Sequence, residues 1–185
     1  IQHYTREAGV RELERVIGSL ARKRARQVVD KQATEVEISL GDLQVLLGPE
    51  KFKSGKGREQ LGPGVAAGLA WTDAGGDVLY VEATLTQKDE KVILTGHLGQ
   101  VMQESAKAAR SYLWSVAKQL GLDRAEIEST GVHIHVPAGA VPKDGPSAGI
   151  TMATALYPAY TAKAVPDALA MTGELTLSGL VLPVG

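Results

Sequence analysis

The sequence predicts an α+β protein with a small, mainly helical N-terminal subdomain over residues 1–48, a linker over 49–63 and a mixed-sheet domain over 64–185. Three observations carry this reading. Strand-like and helical runs do not alternate regularly. The first two strand-like runs are joined by a turn short enough to demand an antiparallel return. Composition also changes near residue 60, with 12 Lys+Arg and 9 Asp+Glu before it and 8 and 12 after it.

In the first segment Val10, Leu13, Ile17, Leu20 and Val28 recur near helical spacing, which predicts a helix from about residue 10 to about 30 with one apolar stripe. Arg22, Lys23, Arg24 and Arg26 fall late in it, where cations complement the helix dipole, and are read as a solvated face. Val36-Glu37-Ile38 suits a short strand. Leu40, Leu43, Leu46 and Leu47 suit a short helix ended by Gly48-Pro49. The stretch from Gly48 to Arg58, followed by Gly62-Pro63-Gly64, has linker composition.

Beyond the linker, Val65 to Trp71 and Val78 to Leu85 read as a hairpin around Gly75-Gly76, and Lys91 to Thr95 adds a third strand after the polar turn at 87–90. From Leu98 to Leu120 an apolar stripe predicts a helix, interrupted by Ser105 and stopped by Gly121. Val132 to Val136 alternates as a strand ending at Pro137. A small-residue helix is expected from near Ser147 to Tyr157, with Pro158 as its stop. Ala168 to Met171 and Leu175 to Leu182 then read as strands around Gly173.

Composition removes several functions. With no cysteine there is no disulfide scaffold, thiol nucleophile or cysteine–zinc site. No apolar run reaches the roughly 18 residues of a membrane span, and the amino end lacks a signal-peptide layout, so a cytoplasmic protein without membrane contact is expected. A formal net charge of −1 argues against a dedicated nucleic-acid binder, leaving at most weak binding through the helix at Arg22 to Arg26.

Reactive groups and turn residues concentrate between Pro137 and Ile150. A serine at a loop-to-helix junction, here Ser147, is held exposed beside first-turn backbone N–H groups that can stabilise an oxyanion. Serine is equally a favoured helix N-cap. Gly145-Pro146-Ser147-Ala148-Gly149 fits the G-x-S-x-G nucleophile elbow, but no strand immediately precedes it and no histidine follows it. A triad of His135, Asp144 and Ser147 is formally open, although an acid three residues from the nucleophile would have to reach the far side of the imidazole. His133 and His135 share one strand face. Two histidines without a defined third ligand make a hydrogen-bonded pair the better reading, and no metal site is expected.

Pro142-Lys143-Asp144-Gly145-Pro146-Ser147-Ala148-Gly149-Ile150 resembles the active-serine signature of the ATP-dependent Lon proteases. Further stretches resemble that family in the same order: Gly68-Leu69-Ala70-Trp71-Thr72 with Gly75-Gly76-Asp77, Thr95 through Ser105, Met171-Thr172-Gly173-Glu174, and Val181-Leu182-Pro183-Val184-Gly185. Tyr4 through Arg15 resembles the C-terminal helical subdomain of the Lon AAA+ module.

The resemblance implies a Lon-type serine peptidase domain in a homo-hexameric, ATP-driven enzyme of protein quality control and stress response. Such enzymes degrade misfolded and regulatory proteins in an enclosed chamber with a Ser-Lys dyad. It implies Ser147 as nucleophile, Thr172 as the residue that helps position the dyad lysine, Asp144 as an active-site loop residue able to gate the serine, and Arg11 as a nucleotide sensor. ATP with Mg is implied for the full-length protein. None is expected on this piece alone, which has no G-x-x-x-x-G-K-[ST] loop. In the family the dyad lysine lies in the continuation of the motif at Val181 to Gly185, so the peptidase domain reads as C-terminally incomplete and the 185-residue polypeptide by itself is expected to be nearly inactive. The alternative reading is a non-catalytic oligomerisation or binding module.

Overall fold

The computed structural model of the chain describes residues 3–32, 34–52, 60–72, 75–87, 91–137 and 142–184. The linker positions 53–59 and the expected turns at 73–74 and 88–90 lie outside them. Contacts divide the chain into two compact units, Ile1–Lys56 with Thr72–Gly75, and Gly57–Trp71 with Gly76–Gly185.

The first unit is helical. Helix α1 spans Arg11–Val29. Its first turn is capped from upstream: the Glu7 carboxylate accepts the N–H groups of Glu12 and Leu13, both at 2.9 Å, and these bonds hold its carboxyl below the ordinary range. Helix α2 spans Asp42–Leu47 and ends at Gly48, whose φ of 83° carries the chain out. The solvated-face reading holds for Arg22, Lys23 and Arg26, which are exposed, and needs correction at Arg24, which is buried with its guanidinium 2.8 Å from the Asp42 carboxylate. Lys23, although exposed, donates its ammonium to the Leu46 carbonyl. The short strand expected at Val36–Ile38 does not form. Its neighbours within this unit are helices and loops, so an extended segment finds no strand partner.

The second unit is built on a five-stranded mixed sheet of β1 (Val65–Thr72), β2 (Gly75–Thr86), β3 (Val92–Thr95), β4 (Gly131–His135) and β5 (Ala170–Met171), in the order β3-β4-β2-β1-β5. Strand β4 runs antiparallel to β2 and parallel to β3, and β5 runs parallel to β1. Helices α3 (Gln100–Ser115), α4 (Ala117–Leu120), α5 (Arg124–Ser129) and α6 (Gly149–Thr161) follow in chain order, with a small antiparallel pair of β6 (Glu174–Leu175) and β7 (Val181–Leu182) at the end. One face of the sheet supplies Val81, Val132, Ile134 and Val136 to a core completed by Met102, Ala106 and Leu113 of α3 and by Met152 and Leu156 of α6. The intervening β4 residues, His133 and His135, lie on the other face.

Several boundaries differ from expectation. The helix predicted over 98–120 breaks at Val116 into α3 and α4, and the polar interruption is satisfied because the Ser105 hydroxyl donates back to the Val101 carbonyl at 3.0 Å. Pro158 does not stop α6. It removes one backbone donor, and the helix closes at Ala162, in the left-handed region, whose N–H bonds the Pro158 carbonyl at 2.8 Å. The strand expected over 175–182 splits at a turn where Thr176 Oγ1 accepts the Leu180 N–H at 2.9 Å. Helix α5 was not expected at all. Its signal is local: Asp123 caps it, accepting the Ala125 N–H at 2.9 Å.

Candidate active site

Ser147 lies in a 3-10 turn, Pro146–Ala148, that leads directly into α6. The N-cap positions are Gly145 for the turn and Ala148 for α6, so Ser147 caps neither helix and that structural role falls away. Gly145, with φ 114°, opens the turn in a conformation that favours glycine. Ser147 is half-buried, and among the described residues its hydroxyl makes no hydrogen bond. The free oxyanion donors expected of the first helical turn are fewer than the sequence suggested. The Gly149 N–H is taken by the Pro146 carbonyl, and the Ile150 N–H by the Gly173 carbonyl at 3.3 Å.

The segment between β5 and β6 is docked on this turn. Gly173 N–H donates to the Ser147 carbonyl at 2.8 Å, and the Thr172 hydroxyl approaches the same oxygen at 3.5 Å, the long limit of a hydrogen bond. The approach needs glycine: a Cβ at residue 173 would lie 2.3 Å from the Val181 side chain. Ser147 and Thr172, found by sequence reasoning in separate motifs, are thus brought together.

Asp144 serves a different end of the site. Its Oδ1 accepts the N–H of Met102 at 3.0 Å and of Gly145 at 2.9 Å, so the carboxylate sits on the first turn of α3. His135 Nδ1 instead bonds Thr95 Oγ1 at 2.7 Å, and the same hydroxyl bonds His133 Nε2 at 2.8 Å. The formal triad is therefore not assembled, and the histidines form the hydrogen-bonded pair read from the sequence, with rings edge-on and 6.5 Å apart. Among the described residues no group of three His, Asp or Glu is arranged to hold a metal.

Lys143 is strung along the stretch that precedes α3. Its N–H donates to the His97 carbonyl at 3.1 Å, its carbonyl accepts the Gly99 N–H at 2.7 Å, and its ammonium donates to the Gly96 carbonyl at 3.0 Å. Burial pushes its pKa below the ordinary lysine value. Sequence reasoning found Thr95 through Ser105 as a motif but gave it no task. The structure shows one: this stretch holds the backbone and side chains of Lys143 and Asp144. Its two glycines were the signal, since a Cβ at Gly96 would lie 2.1 Å from the Val136 carbonyl and one at Gly99 would lie 2.3 Å from the Asp144 carboxylate. Arg11 is exposed in the first turn of α1, in the other unit. Residues 138–141 of the serine loop lie outside the described residues.

Residues 37–185 match the family model of the Lon protease (S16) C-terminal proteolytic domain, and residues 1–36 match that of the Lon protease AAA+ ATPase lid domain. A Lon protease of Nitrosococcus oceani is 63% identical over 175 residues, covering 95% of this chain and 23% of the relative. Lon proteases of Dictyoglomus thermophilum and Solibacter usitatus are 52% and 53% identical, each covering the whole chain and 24% of the relative. The chain spans about a quarter of the length of these curated relatives. With two adjoining family models covering it end to end and identities above one half, the chain belongs to the Lon protease family.

Proposed function

We propose that this chain carries the serine nucleophile of an ATP-dependent, Lon-type serine endopeptidase that degrades misfolded and regulatory proteins. The single observation that supports it best is the turn at Ser147: a half-buried serine that caps no helix, held through its own carbonyl by Gly173 beside Thr172. In this reading 1–48 is the lid part, 49–63 the linker and 64–185 the peptidase part.

Ser147 Oγ adds to the scissile carbonyl carbon while a neutral lysine amine takes its proton. The tetrahedral oxyanion collapses, the amine product leaves with a proton returned from the lysine, and water hydrolyses the acyl-serine by the same exchange. Lys143 is an unsuitable base because its ammonium is engaged by the Gly96 carbonyl. The dyad lysine is instead assigned to the continuation of the motif at Val181 to Gly185, with Thr172 positioning it. Asp144 gates the serine loop by exchanging its bonds to the α3 terminus.

ATP with Mg is the cofactor of the proposed whole enzyme. The residues here do not form a site for it: the sequence contains no phosphate loop, and Arg11 is the one side chain we assign to nucleotide, as a sensor. No step of peptide cleavage is routed through it. A homo-hexamer acting on protein substrates in the cytoplasm completes the proposal. Among the described residues no helix is long and apolar enough to cross a membrane.

The test is fluorophosphonate labelling and casein hydrolysis by the intact protein that carries this sequence. Ser147→Ala is expected to abolish both, a loss of about 10⁴-fold or more in rate. A labelled peptide that excludes Ser147, or casein hydrolysis that survives the substitution, overturns the assignment.

A further inference from the structure

A groove of about 600 Å³ opens between β3, α3 and α5. Its floor is apolar, formed by Val92, Ile127 and the ring of Trp114, which remains 39% exposed. Its sides carry cations. Lys91, Lys107 and Arg110 line it, and the Arg124 guanidinium lies 4.6 Å from the centre of the Trp114 ring. Residues 61–185 contain only 8 Lys+Arg against 12 Asp+Glu, so half of the cations of an acidic segment gather at this one place.

Two of these cations are fixed in advance. Arg110 donates to the carbonyls of Ile127 and Thr130 at 2.6 and 3.1 Å. Arg124 donates to the carbonyls of Trp114 and Ser115 at 3.2 and 2.9 Å. The carboxylate on the rim, Glu128, is already engaged by the Trp114 indole N–H at 2.8 Å. Lys91 and Lys107 are exposed and extend the positive rim. Groups held this way lose little freedom when a ligand arrives.

We propose that this groove is a docking site for an acidic peptide segment, one whose carboxylates flank an apolar or aromatic side chain. The apolar side chain covers the exposed parts of Trp114 and Val92, with Ile127 buried beneath, and the carboxylates meet the exposed lysines, while the two arginines, with donors engaged by backbone carbonyls, add positive charge. Charge complementarity selects this occupant. A nucleic acid is disfavoured, because a phosphate row longer than this small cluster of cations would continue over a segment with 12 Asp+Glu against 8 Lys+Arg. The groove uses the later part of α3, from Lys107 to Trp114, whereas the serine site holds Asp144 on the first turn of that helix, so the groove can be tested without catalysis.

The experiment uses the intact protein that carries this sequence, with Ser147→Ala to prevent cleavage and Trp71→Phe, which leaves Trp114 as the only tryptophan of these 185 residues. The probe is a labelled octapeptide alternating Glu with Leu and Phe, beside its Gln counterpart and an octamer of single-stranded DNA. Expected results are saturable binding of the Glu peptide with a change in Trp114 fluorescence, and loss of roughly tenfold or more in affinity for the Gln peptide and for Lys91→Glu with Lys107→Glu. Both lysines are exposed, and a thermal melt checks that the double variant is folded. Equal affinity for the Gln peptide, a silent Trp114, or unchanged binding by the folded double variant overturns the proposal. Tighter binding of the DNA, or self-association that the double variant abolishes, overturns it in favour of a nucleic acid or a second copy of the chain.

Discussion

At Gly99 the absence of a single carbon decides where a carboxylate can sit. The residue has an ordinary φ of −69°, so alanine there brings no backbone strain. What it brings is a Cβ 2.3 Å from the Asp144 carboxyl carbon. Gly99→Ala is therefore expected to push Asp144 off the Met102 and Gly145 N–H groups and to cost about 1–3 kcal/mol of stability, readable by urea denaturation. A change within about 0.5 kcal/mol would show that Asp144 has an equally good alternative position. Asp42 offers a second test. Its carboxyl is held below its ordinary value first by the Ser39 N–H and hydroxyl and then by Arg24, against opposing desolvation. A folded-state pKa below the unfolded one means that the unfolded chain binds more protons as pH falls. The contribution is thus complete above the ordinary value of 3.8 and lost as pH drops through the folded value. Asp42→Asn is expected to flatten the stability profile of the first unit below pH 4, and an unchanged acid limb in chemical denaturation would contradict the pairing. These contacts were not legible in the sequence, because a helical spacing places Arg24 on a face without saying what faces it.

Helices and strands differ in how much of them a sequence shows. The stripes that define α1 and α3 are long enough to average over interruptions such as Ser105. Strands β5, β6 and β7 have two residues each, and their limits come from what docks on them rather than from their own pattern. The run at 175–182 reads as one strand, yet Gly179 at φ 88° packs under the Tyr112 ring, where a Cβ would lie 2.7 Å from the nearest ring atom, and the chain must fold back there. Helix α5 is the opposite case: six residues give no periodicity, and only the cap marks it. Asp123→Ala should remove that cap and cost about 1 kcal/mol, measured by denaturation with Asp123→Asn retaining most of the stability. Equal losses in the two variants would mean that the Ala125 bond is not what holds α5.

For the whole molecule, the serine turn and the hydrophobic core are parts of one construction, since α6 carries Ser147 at its entry and fully buries Met152 and Leu156 further along. The motifs that make up the site were visible one by one, and their order along the chain was enough to suggest a family. Their meeting was not visible, because Thr172 reaches Ser147 only through the return of β5 alongside β1. Leu156→Ala should open a cavity in the core of the second unit and cost about 2–5 kcal/mol, seen as a lower denaturation midpoint with an unchanged slope. A loss below about 1 kcal/mol would show that the core collapses around the gap. On the other side of the sheet, one hydroxyl joins two imidazoles, and Thr95 has a single proton to give. His133 Nε2 and His135 Nδ1 cannot both be bare while both bonds persist, so of four possible proton placements one is forbidden. At least one ring always commits a hydrogen to Thr95, and while that ring is neutral its other nitrogen is left as a lone-pair acceptor.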